Sequence, residues 1–390
     1  MPTNNHYRRP TIIILAGLSS SLVNFRGPLL QAFSQLGLDV HVAAPALSKD
    51  ADTSDQLKAW GVTCHDIPLE RNGVNPFSDI ILLLALYRLM RKIKPDMLLA
   101  YTAKPVIYGN IAGRLAGVPK LFALITGLGY AFVDGVGRKR ALVKYCIYAL
   151  YRRALSGVTH AFFQNPDDLA LFHEVNLLAD QVPATVLNGS GVDTSHFAAT
   201  PLQSSRPAFL LIARLLGDKG IREYVEAARI VKARHSETRF RLVGDLDTNP
   251  DSVSSDELYE WQAGGAVEYL GKLNDVRSAI ADCSVYVLPS YYREGTPRTV
   301  LEAMSMGRAI ITTDSPGCRE TVVEGKNGFL VATRSVDELV AAMEKLIERP
   351  DLIERMGVES RRIAEEKYDV HKVNSVIMRE MGLVPAESAV

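Results

Sequence analysis

Short apolar runs, rich in β-branched residues, alternate along the chain with longer stretches whose apolar positions repeat at helical spacing. A short apolar run between polar or glycine residues reads as a strand buried on both faces. In the first half such runs lie at Ile12–Ala16, Val40–Ala44, Met97–Tyr101, Leu121–Ile125 and His160–Gln164. In the second they lie at Phe209–Ala213, Phe240–Val243, Val267–Leu270, Val285–Leu288, Ala309–Thr313 and Gly328–Val331. Helical patterns separate them, which predicts parallel sheets covered by helices on both faces. The carboxyl-terminal part reads as helices alone, over Ser335–Glu348, Asp351–Lys367 and His371–Met381.

At 390 residues the chain has room for two domains of ordinary size. Asn, Gly, Ser, Thr and Pro accumulate between Val182 and Pro207, which marks the join. The fold class is therefore α/β, with two Rossmann-like domains whose parallel sheets face a central cleft. The formal net charge of zero hides an asymmetry. Residues 1–185 carry 19 Lys+Arg against 13 Asp+Glu, and the remainder 25 against 31. The first half is thus the half suited to an anionic partner. Cys64, Cys146, Cys283 and Cys318 have no metal-site or redox spacing and fit thiols of a reducing compartment. No run approaches a membrane span, and the apolar run at Thr11–Gly17 is too short for a signal segment. A cytoplasmic protein is expected.

Two segments of the second half carry candidate chemistry. Glu294 and Glu302 bracket Gly295-Thr296-Pro297-Arg298-Thr299-Val300-Leu301, directly after a strand-like run. Thr296 is expected to cap a helix that begins with Pro297 and ends at Gly307. Both carboxylates and a helix N-terminus then face the carboxyl edge of a parallel sheet, where α/β folds bind ligands. Carboxylates accept hydrogen bonds from sugar hydroxyls. Arg214 ends the run Phe209–Ala213, and Lys219 precedes an amphipathic helix over Arg222–His235. Two cations so placed can neutralise a diphosphate.

The Glu294/Glu302 segment resembles the Glu-x7-Glu motif of the retaining glycosyltransferases of family 4. Arg214 and Lys219 resemble that family's Arg-x4-Lys element. Tyr101–Gly109 and Ile125–Phe132 resemble the subgroup that builds bacterial capsule, O-antigen and undecaprenyl-diphosphate-linked oligosaccharides, including N-acetylgalactosaminyltransferases. The resemblance spans nearly the whole chain. It implies the two-domain GT-B fold, with residues 1–185 as the acceptor- and membrane-facing domain and 186–368 as the donor-binding domain. Residues 369–390 would form a helix that crosses back to the first domain.

The same resemblance implies site roles. Arg214, Lys219, Gly295, Thr296 and the backbone at Gly17 would hold the donor diphosphate. Glu302 would bind the ribose, and Lys272 with Leu273 the nucleobase. Glu294 would act at the transferred hexose, as the catalytic residue. Arg26, Lys104 and Thr126 are candidates for the acceptor or a phosphate. Family members that use a side-chain acid or base near Thr126 differ from this chain, whose threonine is neither. Asp245-Leu246-Asp247 has the spacing of a metal motif from another transferase fold, but no metal and no other cofactor is expected.

The segment Arg138–Arg153 holds six cations and no acid. Arg138, Lys139, Arg140, Lys144, Arg152 and Arg153 form a candidate membrane patch beside a stripe of Leu142, Val143, Cys146, Ile147, Leu150 and Tyr151. Ile80–Lys94 reads as a core helix. The expected activity is transfer of a hexose or N-acetylhexosamine from a UDP-sugar to a polyprenyl-diphosphate-linked saccharide. The enzyme would sit peripherally on an anionic surface, the inner face of the plasma membrane, with no nucleic acid partner. Two alternatives stand beside it, a UDP-N-acetylglucosamine 2-epimerase-like isomerase and a non-catalytic UDP-sugar-binding subunit.

Overall fold

The computed structural model describes residues 8–385 apart from 71–74, 129–137, 204–206, 248 and 250, with backbone alone at 138–140. The chain divides into two compact units, 1–190 with 374–390, and 191–373.

The first unit is a parallel sheet of β1 (Thr11–Leu15), β2 (Asp39–Ala44), β3 (Thr63–Asp66), β4 (Met97–Tyr101), β5 (Lys120–Ile125), β6 (His160–Phe163) and β7 (Ala184–Val186). Its helices are α1 (Ser20–Gln35), α2 (Ala51–Ala59), α3 (Pro76–Ile93), α4 (Asn110–Ala116), α5 (Arg138–Leu155) and α6 (Pro166–Glu174). The strand order is β3-β2-β1-β4-β5-β6-β7. β1 is buried throughout and apolar after Thr11, and Ile12 sits between Val40 and Met97. The order reverses between β1 and β4, which opens a crevice at their carboxyl ends.

The second unit holds β8 (Ala208–Ile212), β9 (Arg239–Val243), β10 (Glu268–Tyr269), β11 (Val285–Leu288), β12 (Ala309–Thr313) and β13 (Gly328–Val331), again all parallel. Their order is β10-β9-β8-β11-β12-β13, so this sheet reverses between β8 and β11. Around it lie α7 (Ile221–Arg234), α8 (Ser255–Ala263), α9 (Arg277–Ala281), α10 (Arg298–Ser305), α11 (Val336–Glu348), α12 (Pro350–Lys367) and α13 (Val370–Glu380). The last residues of α13 group with the first unit.

Local signals account for the helix starts. Asn75 accepts a bond from the Phe77 amide ahead of α3, with Pro76 in the first turn. Ser254 and Glu257 form a reciprocal capping box on α8. Two strands escape the apolar pattern. β3 is the polar edge run Thr-Cys-His-Asp, and β7 lies inside the segment read as the join. Pairing of β7 with β6 moves the division from 185 to Ser190/Gly191.

α3 is not the core helix the sequence suggests. Leu82, Leu86 and Met90 are buried, but Phe77, Ile80, Ile81 and Leu84 are exposed. A helix on a sheet has only one side to bury. α5 corrects the expected stripe in the same way. Tyr151, Ile147 and Leu150 pack on the core, whereas Leu142, Val143 and Cys146 are exposed. No helix among the described residues is long and apolar enough to cross a membrane.

Candidate active site

In the second unit the expected donor-site residues meet at the carboxyl ends of β8 and β11. Arg214 follows β8, and the turn Gly217–Lys219 leads into α7. The loop after β11 carries Ser290, Tyr292 and Glu294. Backbone bonds join the two loops. The amides of Tyr291 and Tyr292 donate to the Asp218 carbonyl at 3.0 and 3.1 Å. Gly220 permits the approach: its φ is +72°, and a Cβ there would stand 2.1 Å from the Pro289 carbonyl oxygen. Gly317 does the same from the loop after β12, since its Cβ would lie within 2.5 Å of the Glu294 and Gly295 carbonyl oxygens. Three hydroxyl bonds, from Thr313, Ser315 and Ser290, brace the turn around the Ser290 and Asp218 carbonyls.

This scaffold sets Lys219 against Glu294. Lys219 Nζ donates to Glu294 Oε1, which also accepts from Ser290 Oγ at 3.1 Å. The two side chains are 11% and 14% exposed. The ammonium stands 4.6 Å from the centre of the Tyr292 ring, a further stabilisation of its charge. Burial raises the Asp218 carboxyl above its ordinary range, with Lys219 pulling the other way. Ser290, Tyr292 and Asp218 were not legible as site residues. Their only signal was nearness to Glu294 or Lys219 in the chain.

Arg214 is half exposed, and its Nη1 donates to Asp247 Oδ2 at 3.0 Å. Asp245 pairs with Lys272 at 3.0 Å. Both acids of the Asp-Leu-Asp tripeptide are thus engaged by cations, and no cluster of three potential metal ligands occurs among the described residues. Lys272 is exposed, and Leu273 packs partly on the core.

The helix after Glu294 differs from expectation. α10 begins at Arg298, and Pro297 occupies the N-cap position with extended ψ of 114° and no capping bond from its own side chain. Thr296 is buried and stands one residue before the N-cap position. Gly307, at φ +78°, lies just past the helix end as expected. Glu302 is buried on the second turn, and its Oε1 accepts from Arg298 Nε at 2.8 Å. Its other oxygen makes no hydrogen bond among the described residues. Burial raises the Glu302 carboxyl, opposed by Arg298. Tyr286 Oη bridges Thr299 Oγ1 (2.6 Å) and the Ile212 carbonyl (3.0 Å), so β8, β11 and α10 are tied together beside it.

In the first unit the residues group around the β1/β4 reversal. Gly17 follows β1, and a Cβ there would stand 2.7 Å from Thr102 Oγ1. Thr102 itself has a φ of +69°, an unusual conformation for a β-branched residue. Arg26 is buried rather than a surface contact, with its guanidinium 5.2 Å from the Tyr101 ring centre. Lys104 is paired: Nζ donates to Asp79 Oδ1 at 2.9 Å, and Tyr108 Oη donates to the other oxygen at 2.8 Å. Burial and then Asp79 push the Tyr108 phenol well up. Thr126 follows β5 and is half-buried; Gly129 to Phe132 of its segment lie outside the described residues.

Of the basic patch, Arg152 is held by its own unit, with Nε 2.9 Å from the Asn176 carbonyl oxygen and Nη2 3.3 Å from that of Val175. Lys144 lies over the Tyr148 ring at 5.7 Å, and Arg153 is exposed. The side chains of Arg138, Lys139 and Arg140 lie outside the described residues, though their backbone opens α5. None of the four cysteines is in a disulfide.

Comparison with known proteins agrees with this geometry. Residues 12–165 match the family described as glycosyl transferase 4-like, and residues 192–363 match glycosyl transferases group 1. The chain is 28% identical, over 86% of its length and 88% of the relative's, to the Campylobacter jejuni N,N'-diacetylbacillosaminyl-diphospho-undecaprenol alpha-1,3-N-acetylgalactosaminyltransferase. It is 26% identical, over 72% of its length and 73% of the relative's, to the Escherichia coli UDP-Gal:alpha-D-GlcNAc-diphosphoundecaprenol alpha-1,3-galactosyltransferase. The fold matches that of Anabaena HepE, solved with UDP-glucose, at a TM-score of 0.75 and 18% identity, over 96% of this chain and all (100%) of that one.

Proposed function

The chain belongs to the glycosyltransferases, its first half a 4-like domain and its second a group 1 domain of the GT-B fold, and we propose that it is a retaining enzyme of lipid-linked glycan assembly. It moves a hexose or N-acetylhexosamine from a UDP-sugar to a polyprenyl-diphosphate-linked saccharide. It works peripherally at the inner face of the plasma membrane. The observation that carries this reading is the convergence of Arg214, Lys219 and Glu294 where the second sheet reverses between β8 and β11. The two relatives named above, both acting on diphospho-undecaprenol saccharides, support the acceptor class.

The chemistry follows from the side chains. The anomeric carbon–oxygen bond to the β-phosphate breaks, and the acceptor hydroxyl forms the new bond on the same face. The hydroxyl proton passes to the departing phosphate oxygen, so no protein base is required, and Thr126 presents no obstacle. Arg214 and Lys219 stabilise the negative charge that grows on the diphosphate. Glu294 stabilises positive charge at the anomeric carbon, and Glu302 takes the ribose with its unused oxygen. No metal is part of this scheme, because Arg214 and Lys219 supply the counter-charge that the departing diphosphate needs.

The test is the linkage formed. Nuclear magnetic resonance of the product from an α-linked UDP-sugar and an undecaprenyl-diphosphate-linked sugar should give an α-glycoside. A β-glycoside overturns retention. Interconversion of the UDP-sugar without acceptor overturns transfer in favour of an isomerase.

A further inference from the structure

The exposed face of α3 is graded along its length. Phe77, Ile80, Ile81 and Leu84 lie one helical turn apart on one side and are 79%, 55%, 57% and 47% exposed. Beyond them the exposed positions become Arg88, Arg91 and Lys92. The helix holds one acid, Asp79, and it is buried and bonded to Lys104 and Tyr108. α5 differs in opening with Arg138-Lys139-Arg140, but it too exposes apolar side chains, with Leu142 and Tyr145, its fifth and eighth residues, 64% and 67% exposed, and it contains no acid.

Topology puts the two helix starts on one rim. α3 follows β3 and α5 follows β5, so in this parallel sheet both helices begin at the carboxyl edge. The turn Pro105–Gly109 packs against both, in one helical layer. Gly17 and Lys104 lie at the same edge. The Asp79 bonds fasten the start of α3 to the segment that follows β4.

We infer that this rim is a membrane-insertion surface, with the α3 row as its apolar anchor and a bilayer carrying anionic headgroups as its occupant. Phe77 to Leu84 rises about 10 Å along the helix, close to the depth of an interfacial apolar face. Phe77 and Leu84 are residue types that the apolar face of an interfacial helix carries. The cations further along α3 lie where headgroups would be, and the absence of any unpaired acid on either helix removes the repulsion that anionic lipid would meet. Insertion sets the carboxyl edge of the first sheet at the headgroups, within reach of a lipid-linked diphosphate. In that purpose, though not in its measurement, the inference rests on the function proposed above.

The test measures vesicle binding by sedimentation, with neither donor nor acceptor present, so it fails or succeeds independently of transfer. Native protein should bind phosphatidylcholine–phosphatidylglycerol vesicles, and Phe77→Ser with Ile81→Ser should lower partition by about thirtyfold. Unchanged partition overturns the proposal. So does a native dimer, seen without vesicles, that this variant converts to monomer, because the occupant is then a second copy. Should the double variant misfold, Phe77→Trp decides. Its emission should shift to the blue on adding vesicles and stay shifted at about 0.5 M salt, where purely electrostatic binding is screened. No shift relative to native protein overturns the insertion.

Discussion

Glu294→Gln should separate donor binding from turnover, and in opposite directions. In the protein as described, Glu294 holds the ammonium that the donor diphosphate needs. The pair is mostly covered, at 11% and 14% exposure, so solvent weakens it little. Glutamine keeps an acceptor for Lys219 and Ser290 but removes the charge. A hydrogen bond to a charged partner contributes about 1.5–3 kcal/mol and a neutral one about 0.5–1.5, so Lys219 is held roughly 1 kcal/mol less tightly. Removing a carboxylate from beside the phosphate site acts in the same sense. UDP should therefore bind about five- to tenfold tighter, as read by isothermal titration. Turnover should fall about 10²–10³-fold, the scale for losing one electrostatic stabiliser of a transition state. Tighter UDP with slower transfer is the signature of a residue that exchanges partners during the cycle. Weaker UDP binding with unchanged kcat would refute the reasoning, because Glu294 would then only position Lys219.

Replacing Arg214 and Lys219 together by alanine should weaken UDP about a hundredfold or more, Lys219 contributing most because Arg214 is half exposed; unchanged titration removes the diphosphate role. Glu302→Gln should weaken UDP about tenfold while melting no lower than native protein at neutral pH. Burial raises the folded Glu302 above its unfolded value, so the native state binds the extra proton and stability falls as pH rises through that window. The glutamine variant should lose that part of the pH dependence of melting, and an identical profile contradicts it. Arg138→Ser with Lys139→Ser and Arg140→Ser should lower anionic-vesicle binding up to about a hundredfold at low salt, an effect that should vanish at high salt. Unchanged low-salt binding places the basic contact elsewhere.

The parts of the fold legible in the sequence are those fixed by local pattern. β1, β4, β8 and β11 are short apolar runs because both faces are covered, and their alternation with helices implies parallel sheets. β3 escaped because its polar residues lie at a sheet edge. α3 reads as a core helix because its leucine run is apolar all round, but Leu82, Leu86 and Met90 are buried while Phe77, Ile80, Ile81 and Leu84 are exposed. In the site, Arg214, Lys219, Glu294 and Glu302 were legible as residue types at spacings. Their pairing was not. Lys219 meets Glu294 because strand order sets β8 beside β11, and sequence separation carries no trace of that. Thr296 failed as a cap for a local reason, since the extended ψ at Pro297 delays the helix to Arg298.

Release of UDP across a panel of UDP-hexoses and UDP-N-acetylhexosamines, each with and without undecaprenyl-diphosphate-linked sugars in detergent, tests the central claim most directly. Release that requires one donor and one acceptor together, with a new glycoside on the lipid, is the predicted result. Tight UDP-sugar binding with no acceptor-dependent release from any pair would contradict it and leave a donor-binding protein without transferase activity.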